Sequence, residues 1–353
     1  MEKEIHSRPV RQDKEERLKI GAFQGDGSVF EYEAMARLLA DASAFETALP
    51  FVYGSPAKWA AAAKAVGMGE MNPLVQKQVQ DIKGKRLQMI ANEEQDADDA
   101  YFLLEKAVSD LKSRHLRALV SLPVSETNIR SRHPEFKNTA MMVAQAVHTA
   151  ENGNPFRMLL CGGRLRLSFL TGADRENVEA YLTPQRVEQR IRDLYQTLKS
   201  DFSITTPRIA VLSTNKDHTS GELTAADTGK IKPVVVSLFE SGIPVFGPYA
   251  AGTFFNSPEA RAFDAVLCMY KEQMNLCFSL YGKSESCYYT ASLPVVHIEP
   301  VFEGLNPEES FRSLFRALCT AIDIDASRML YRRLSENPLP CTGSSRRDSR
   351  EDD

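Results

Sequence analysis

The fold is decided by Phe263-Asp264-Ala265-Val266-Leu267-Cys268-Met269-Tyr270-Lys271-Glu272-Gln273. The apolar residues of this stretch predict a buried strand over Ala265–Met269, and the polar residues that follow predict a loop with Lys271 at its centre. Further strands of this kind, separated by helices, would place the chain in the α/β class.

Short apolar runs do alternate with helical patterns along the chain. The apolar runs predict strands at Leu18–Phe23, Pro50–Tyr53, Leu87–Ala91, Ala118–Leu122, Met158–Cys161, Leu165–Leu170, Ile209–Leu212, Ile243–Phe246, Ala265–Met269 and Pro294–His297. The helical patterns predict helices at Tyr32–Leu39, Ala57–Ala65, Asp98–Leu111, Ala140–Ala150, Pro184–Leu198, Ile231–Phe239 and Pro307–Ile324. The alternation predicts α/β layers around a mostly parallel sheet. Neither a Gly-x-Gly-x-x-Gly after the first strand nor a Walker A sequence is present, which excludes the standard nucleotide-binding fingerprints.

Composition narrows the class of protein. The 353 residues are 43% apolar and carry a net charge of −4, which gives no reason to expect a nucleic-acid partner. No apolar stretch approaches the roughly 18–20 residues that span a bilayer, so no membrane contact is expected. Residues 1–17 form a charged tail without a signal sequence, and a cytoplasmic protein is the expectation. The six cysteines have no Cys-x-x-Cys spacing and predict reduced, mostly buried thiols.

Several motifs occur in one order along the chain, and together they indicate a family. They are Gln24-Gly25-Asp26, Pro123-Val124-Ser125-Glu126, Pro207–Ser213 with Asn215, Gly247-Pro248-Tyr249-Ala250-Ala251, Phe263–Tyr270 and Leu293-Pro294-Val295-Val296. In their order and spacing the chain resembles the 4-hydroxythreonine-4-phosphate dehydrogenase family of vitamin B6 biosynthesis, from about Lys19 to Asp325.

The resemblance implies a two-domain α/β fold with an interdomain cleft, similar to isocitrate and isopropylmalate dehydrogenases, and a homodimer. The expected first domain comprises residues 18–135 plus 292–330, and the second, which would form the dimer, comprises 136–291. Residues 331–353 are polar and lack periodicity, which predicts a disordered C-terminal tail.

The resemblance also implies a reaction, hydride transfer to NAD followed by decarboxylation, with a divalent metal held by three histidines. In this chain the three ligand positions carry Ala173, Asp217 and Lys271. A lysine is a cation at neutral pH and repels a divalent metal. NAD is therefore the cofactor to expect from the family, whereas a divalent metal is predicted to be absent.

The residues expected to bind substrate are altered as well. Lys137-Asn138-Thr139 stands where the family contacts the substrate phosphate, and the expected ligand is a small anionic or phosphorylated molecule. His297 ends a strand where the family has arginine, so it is either an anion-binding residue or a plain hydrogen-bonded histidine.

The leading hypothesis is a divergent member of this family that lacks metal-dependent dehydrogenation and binds a small anion. Three alternatives stay open. In the first, the protein is a metal-free enzyme in which Lys216 and Lys271, with Asp217 nearby, take the place of the metal. In the second, it is an active dehydrogenase in which Asp217 and His218 rebuild a metal site. In the third, it is a non-catalytic interaction subunit.

Overall fold

Two compact units make up the chain. The computed structural model describes residues 18–25, 29–40, 48–65, 67, 73–83, 88–91, 100–149, 154–162, 164–170, 181–215 and 221–336. Unit 1 comprises Met1–His148 and Leu293–Ile322, and unit 2 comprises Thr149–Ser292 and Asp323–Asp353. The α/β class expected from the sequence is confirmed.

Unit 1 is built on a parallel sheet. Its described strands are β1 Leu18–Phe23, β2 Ala48–Tyr53, β3 Leu74–Gln76, β4 Gln88–Ile90, β5 Ala118–Ser121 and β12 Val296–Pro300. They lie in the order β3-β4-β2-β1-β5-β12, and every pair is parallel. Nearly every residue of β1 and β2 is buried, because a parallel sheet is covered on both faces.

The helices of unit 1 bury apolar stripes. They are α1 Val29–Ala40, α2 Pro56–Ala65, α3 Ala100–Lys112, α4 Glu126–Arg132 and α5 Thr139–Val147. In α3 the buried residues are spaced so that they form one face, which packs with α5 and the strands β1, β2 and β5. Because α5 packs against α3, it falls in unit 1, and the boundary lies after His148 instead of after the expected residue 135.

Unit 2 has a mixed sheet of the strands β6 Phe156–Cys161, β7 Leu165–Phe169, β8 Ile209–Leu212, β9 Val245–Tyr249, β10 Ala265–Cys268 and β11 Ser286–Ala291. They lie in the order β11-β6-β7-β10-β8-β9. Strand β6 runs antiparallel to β7 and β11, and the pairs β7–β10, β10–β8 and β8–β9 are parallel. The parallel portion brings the carboxyl ends of β8 and β10 to one edge. The helices of unit 2 are α6 Pro184–Phe202, α7 Lys232–Glu240, α8 Ala251–Asn256 and α9 Glu272–Tyr281.

Local sequence explains the helix ends of unit 2. Thr183 caps α6 by accepting a hydrogen bond from the Arg186 backbone N–H, and Pro184 occupies the first turn, as expected from the sequence. A π-helical turn, Asp227–Ile231, leads into α7. Among the described helices none is both long and apolar enough to cross a membrane.

The last helix, α10, covers Pro307–Glu336, so the expectation of a disordered tail from residue 331 is wrong for residues 331–336. Its C-terminal part belongs to unit 2, where Arg328 binds the carboxylate of Asp201 at 2.9 Å. The ion pair with the buried Asp201 stabilises α10 beyond its predicted end. Residues 337–353 and the N-terminal tail, 1–17, lie outside the described residues.

The cysteines that the structure describes are reduced, as expected. Cys161, Cys268 and Cys287 are buried and Cys319 is partly buried, and none of the four is in a disulfide. Burial raises the pKa of the Cys161 thiol to about 11, so it is protonated at neutral pH.

Candidate functional site

The loop after β10 is a short turn that leads directly into α9. Lys271 occupies the N-cap position of α9, and no side chain caps this helix end. The Gln273 side chain folds back, and its Oε1 accepts a hydrogen bond from the Met269 backbone N–H at 2.8 Å. The sequence predicted a loop here, and the structure shows that the loop closes within the first helical turn.

Two side chains connect this loop to the end of β8. Gln273 Nε2 donates to the Ser213 carbonyl at 2.8 Å, and the Tyr270 hydroxyl donates to the Asn215 carbonyl at 2.8 Å. Gln273 is 0% exposed and Tyr270 is 7% exposed, so both bonds are shielded from water. The ends of β8 and β10 are therefore held in one arrangement.

A buried carboxylate holds the other side of the β8 loop. Asp227, which is 0% exposed, accepts hydrogen bonds from the Ser213 hydroxyl at 2.5 Å and from the Thr214 backbone N–H at 2.8 Å. It also accepts from the Thr214 hydroxyl at 2.9 Å and from the Thr224 backbone N–H at 2.9 Å. Hydrogen bonds from neutral donors thus satisfy this carboxylate, as a buried charge requires.

Lys271 and Glu272 are exposed, although Tyr270 and Gln273 on either side are buried. Within the described ranges no acidic side chain forms an ion pair with Lys271, and no three His, Cys, Asp or Glu side chains are grouped as metal ligands would be. The other two positions of the family's ligand set, Ala173 and Asp217, lie outside the described residues, as does Lys216.

Tyr270 is held in its protonated form. Burial, and next the negative charge of Glu272, raise the pKa of its hydroxyl to about 12. A protonated hydroxyl can donate to the Asn215 carbonyl, whereas a tyrosinate could not. The bond is therefore present at every physiological pH.

The expected phosphate-binding stretch of unit 1 begins α5. Asn138 caps this helix, and its Oδ1 accepts a hydrogen bond from the Met141 backbone N–H at 2.8 Å. Thr139 is 3% exposed, whereas Lys137 is exposed. Of these three residues, Lys137 is therefore the one whose side chain is most open to a ligand from solvent.

His297 is a buried residue of β12. It is 0% exposed, and its Nε2 lies 3.1 Å from the hydroxyl of Ser121, which is also 0% exposed. This arrangement matches the plain hydrogen-bonded histidine that the sequence left open as an alternative. A role in substrate binding stays a prediction.

Sequence reasoning missed the residues that organise the β8 loop. Asp227 was not singled out, yet Thr224-Ala225-Ala226-Asp227 has the spacing of a capping box. The structure contains that box, because the Asp227 N–H also donates to the Thr224 hydroxyl at 3.1 Å. The Thr-x-x-Asp spacing therefore could have predicted the bonds between Thr224 and Asp227. No sequence pattern predicts the bonds that Asp227 accepts from Ser213 and Thr214.

Known proteins are similar to this chain in sequence and in fold. Residues 40–301 match the family described as "Pyridoxal phosphate biosynthetic protein PdxA". A protein of Bacteroides thetaiotaomicron named 4-hydroxythreonine-4-phosphate dehydrogenase is 27% identical over 347 residues, which is 92% of this chain and 93% of that protein.

Solved structures that carry the same enzyme name have the same fold. The one from Burkholderia phymatum has a TM-score of 0.64 at 22% identity and covers 88% of this chain and 98% of its own. The one from Klebsiella pneumoniae has a TM-score of 0.67 at 16% identity and covers 87% of this chain and 100% of its own. With the family match spanning most of its length, the chain belongs to the PdxA family.

Proposed function

We propose that this protein binds a small anionic or phosphorylated molecule and does not catalyse metal-dependent dehydrogenation. The observation that carries the proposal is the loop after β10. Its buried residues, Tyr270 and Gln273, keep a fully hydrogen-bonded framework, while the position of the family's metal-binding histidine carries the exposed cation Lys271.

The donor set does not suit a divalent metal. A lysine ammonium has three hydrogen-bond donors and no lone pair, so it cannot act as a ligand while it is charged. Ala173 has no donor atom in its side chain, which leaves Asp217 as one oxygen ligand where the family uses three histidines. One oxygen ligand is too few to hold a divalent metal, and the positive charge of Lys271 favours an anion over a metal cation.

The identity of the anion is part of the proposal. The relatives' names contain a phosphorylated hydroxy amino acid and a dehydrogenase activity, so 4-hydroxythreonine-4-phosphate and NAD are the first ligands to test. Lys271 is an exposed lysine of unit 2 that we assign to phosphate recognition, and Lys137, exposed in unit 1, is a separate candidate for that role. By the same family resemblance we propose that the protein is a homodimer, which light scattering coupled to gel filtration would measure.

Calorimetric titration tests the binding. The wild type is expected to bind 4-hydroxythreonine-4-phosphate, and Lys271→Met is expected to lower its affinity about tenfold through loss of one charge-assisted hydrogen bond. Lys232→Met, at an exposed lysine elsewhere in unit 2, is the matched control and should leave the affinity unchanged. Equal affinities for wild type and Lys271→Met would contradict the assignment of Lys271.

A second candidate function is the activity named for the relatives, and the similarity over 92% of the chain favours it. NADH absorbance with both ligands, with and without zinc, magnesium or manganese, separates the possibilities. Turnover that a chelator abolishes would establish a metal-dependent dehydrogenase and refute our proposal. Turnover without metal that Lys271→Met abolishes would identify a metal-free enzyme, and no binding of either ligand would favour an interaction subunit.

A further inference from the structure

We propose that Gln273 is a positioning residue that fixes the exposed Lys271 relative to the loop after β8. The inference rests on the proposed function, because it concerns how the anion-binding lysine is held. Gln273, Tyr270, Ser213 and Asp227 together form a group that we call the strand-end clamp. Gln273, Tyr270 and Ser213 form the bonds between the ends of β8 and β10. Asp227, from the π-helical turn, holds Ser213 by accepting its hydroxyl hydrogen bond.

Gln273 is the central member of the strand-end clamp. Its amide oxygen accepts a hydrogen bond from the Met269 N–H on the β10 side, and its amide nitrogen donates to the Ser213 carbonyl on the β8 side, both at 2.8 Å. Only a side chain with one acceptor and one donor on the same planar group can make both bonds. Neither Glu nor Met could replace it at neutral pH, because Glu lacks the donor and Met lacks both groups.

The β8 side of the strand-end clamp is itself rigid. Ser213 uses its carbonyl for Gln273 and its hydroxyl for Asp227, and Asp227 also holds Thr214. The Ser213 hydroxyl in turn accepts the Asn215 backbone N–H at 2.9 Å. The chain is therefore fixed up to Asn215.

Hydrogen bonds on both sides of Lys271 fix the backbone of this residue. Met269 and Tyr270 are both anchored, and the Lys271 carbonyl accepts the Met274 N–H at 2.9 Å as α9 begins. Lys271 thus lies between two fixed points although its own side chain is exposed. Replacing Gln273 removes the bonds to Met269 and Ser213 together, while the Tyr270–Asn215 bond remains, and this loss reduces the preorganisation of the lysine for a bound anion.

The first arm of the experiment is hydrogen exchange on the full chain. Gln273→Met should accelerate exchange about tenfold in two segments at once, 209–215 and 265–271, because each loses a buried hydrogen bond. Leu194→Ala is the control, because it leaves a cavity under the buried face of α6 and so lowers the stability of unit 2 without touching these bonds. Faster exchange in only one segment, or the same pattern in Leu194→Ala, would overturn the clamp.

The second arm is the affinity for 4-hydroxythreonine-4-phosphate. Gln273→Met should weaken binding about tenfold while Leu194→Ala changes it less than about twofold. Gln273→Glu should bind weakly at pH 8 and recover towards wild type at about pH 5.5, where the introduced carboxyl group, once protonated in its buried site, again has one donor and one acceptor. Wild type measured at the same pH values removes the effect of ligand charge. Equal affinity in Gln273→Met and wild type would refute the positioning role.

The two arms separate this inference from the proposed function. If the wild type does not bind the phosphorylated ligand, the proposed function fails and the exchange arm alone decides the clamp. If the wild type binds and the variants do not differ from it, the proposed function stands and the positioning role fails.

Discussion

Arg328→Met is predicted to destabilise unit 2 more than any exposed ion-pair variant. Arg328 binds Asp201 through Nε at 2.9 Å and Nη2 at 3.0 Å, and Nη2 also donates to the Tyr289 hydroxyl at 2.6 Å. The Tyr289 hydroxyl donates to Asp201 at 2.5 Å. Asp201 and Tyr289 are 5% and 0% exposed, so this cluster is removed from water.

The magnitude follows from what the substitution leaves behind. Removing one partner of a buried ion pair costs about 3–5 kcal/mol, because the other charge stays buried without compensation. Burial alone would lower the pKa of Arg328, but Tyr289 and Asp201 raise it, so the guanidinium is charged at every accessible pH. Asp201→Asn combined with Arg328→Met removes both charges and should cost about 1–3 kcal/mol, less than the single substitution.

Urea unfolding followed by far-UV circular dichroism measures the loss. Trp59, the single tryptophan, is buried in unit 1, so its fluorescence reports that unit separately. Arg192→Met is the control: Arg192 pairs with Glu188 at 2.8 Å, but both side chains are nearly half exposed, and its loss should cost about 0–1 kcal/mol.

Two results would refute this reasoning. The first is a loss below about 1 kcal/mol in Arg328→Met, which would mean that water reaches Asp201 and replaces the guanidinium. The second is a double variant as unstable as the single one, because then the uncompensated charge is not the cause.

Two further predictions concern the site-bearing unit. Gly247 has φ +128°, and a Cβ there would collide with the Val211 carbonyl oxygen, so Gly247→Ala should cost about 3 kcal/mol or more in a denaturation experiment. Gly242→Ala, at φ +91° with open space around it, is the control and should cost only about 1 kcal/mol, and equal losses would contradict the steric argument. Tyr270→Phe should remove from the ultraviolet titration a tyrosine that ionises near pH 12. Because the pKa of Tyr270 is raised in the folded state, the stability that its hydroxyl contributes below pH 10 should be lost between pH 10 and 12. Loss of a group that ionises near pH 10 would show that Tyr270 is not buried.

Apolar strands bounded by turns were predictable from the sequence. The bounds of β1 and β8 agree with prediction residue for residue, because β8 is a continuous buried run and β1 departs from one only at the partly buried Lys19. Strand β11 was missed because Ser286-Cys287-Tyr288-Tyr289-Thr290-Ala291 has no run of aliphatic residues, and it is stabilised by antiparallel pairing with β6. Helix α9 was missed because its first turn coincides with the polar residues that predicted a loop.

Polar networks were not predictable in the same way. The predicted helix ended at Ile324, whereas α10 continues through Arg328, whose partly buried guanidinium binds the distant residues Asp201 and Tyr289. Asp227 is a similar case, since its Ser213 and Thr214 contacts join separate elements. Sequence periodicity reports the environment of a helix or strand, whereas a buried carboxylate depends on donors brought together by the tertiary fold.

The loop after β10 contains two sets of residues that differ in burial. Its residues fall into a buried set, Met269, Tyr270 and Gln273, and an exposed pair, Lys271 and Glu272. The buried set forms bonds that few side chains could replace, so a change there would cost stability, whereas a change in the exposed pair alters mainly what the surface can bind. A sequence can thus keep the buried pattern that identifies the family while an exposed residue such as Lys271 differs from the family motif. The framework of this site therefore supports the fold, and its chemistry has to be argued from Lys271 and its surroundings.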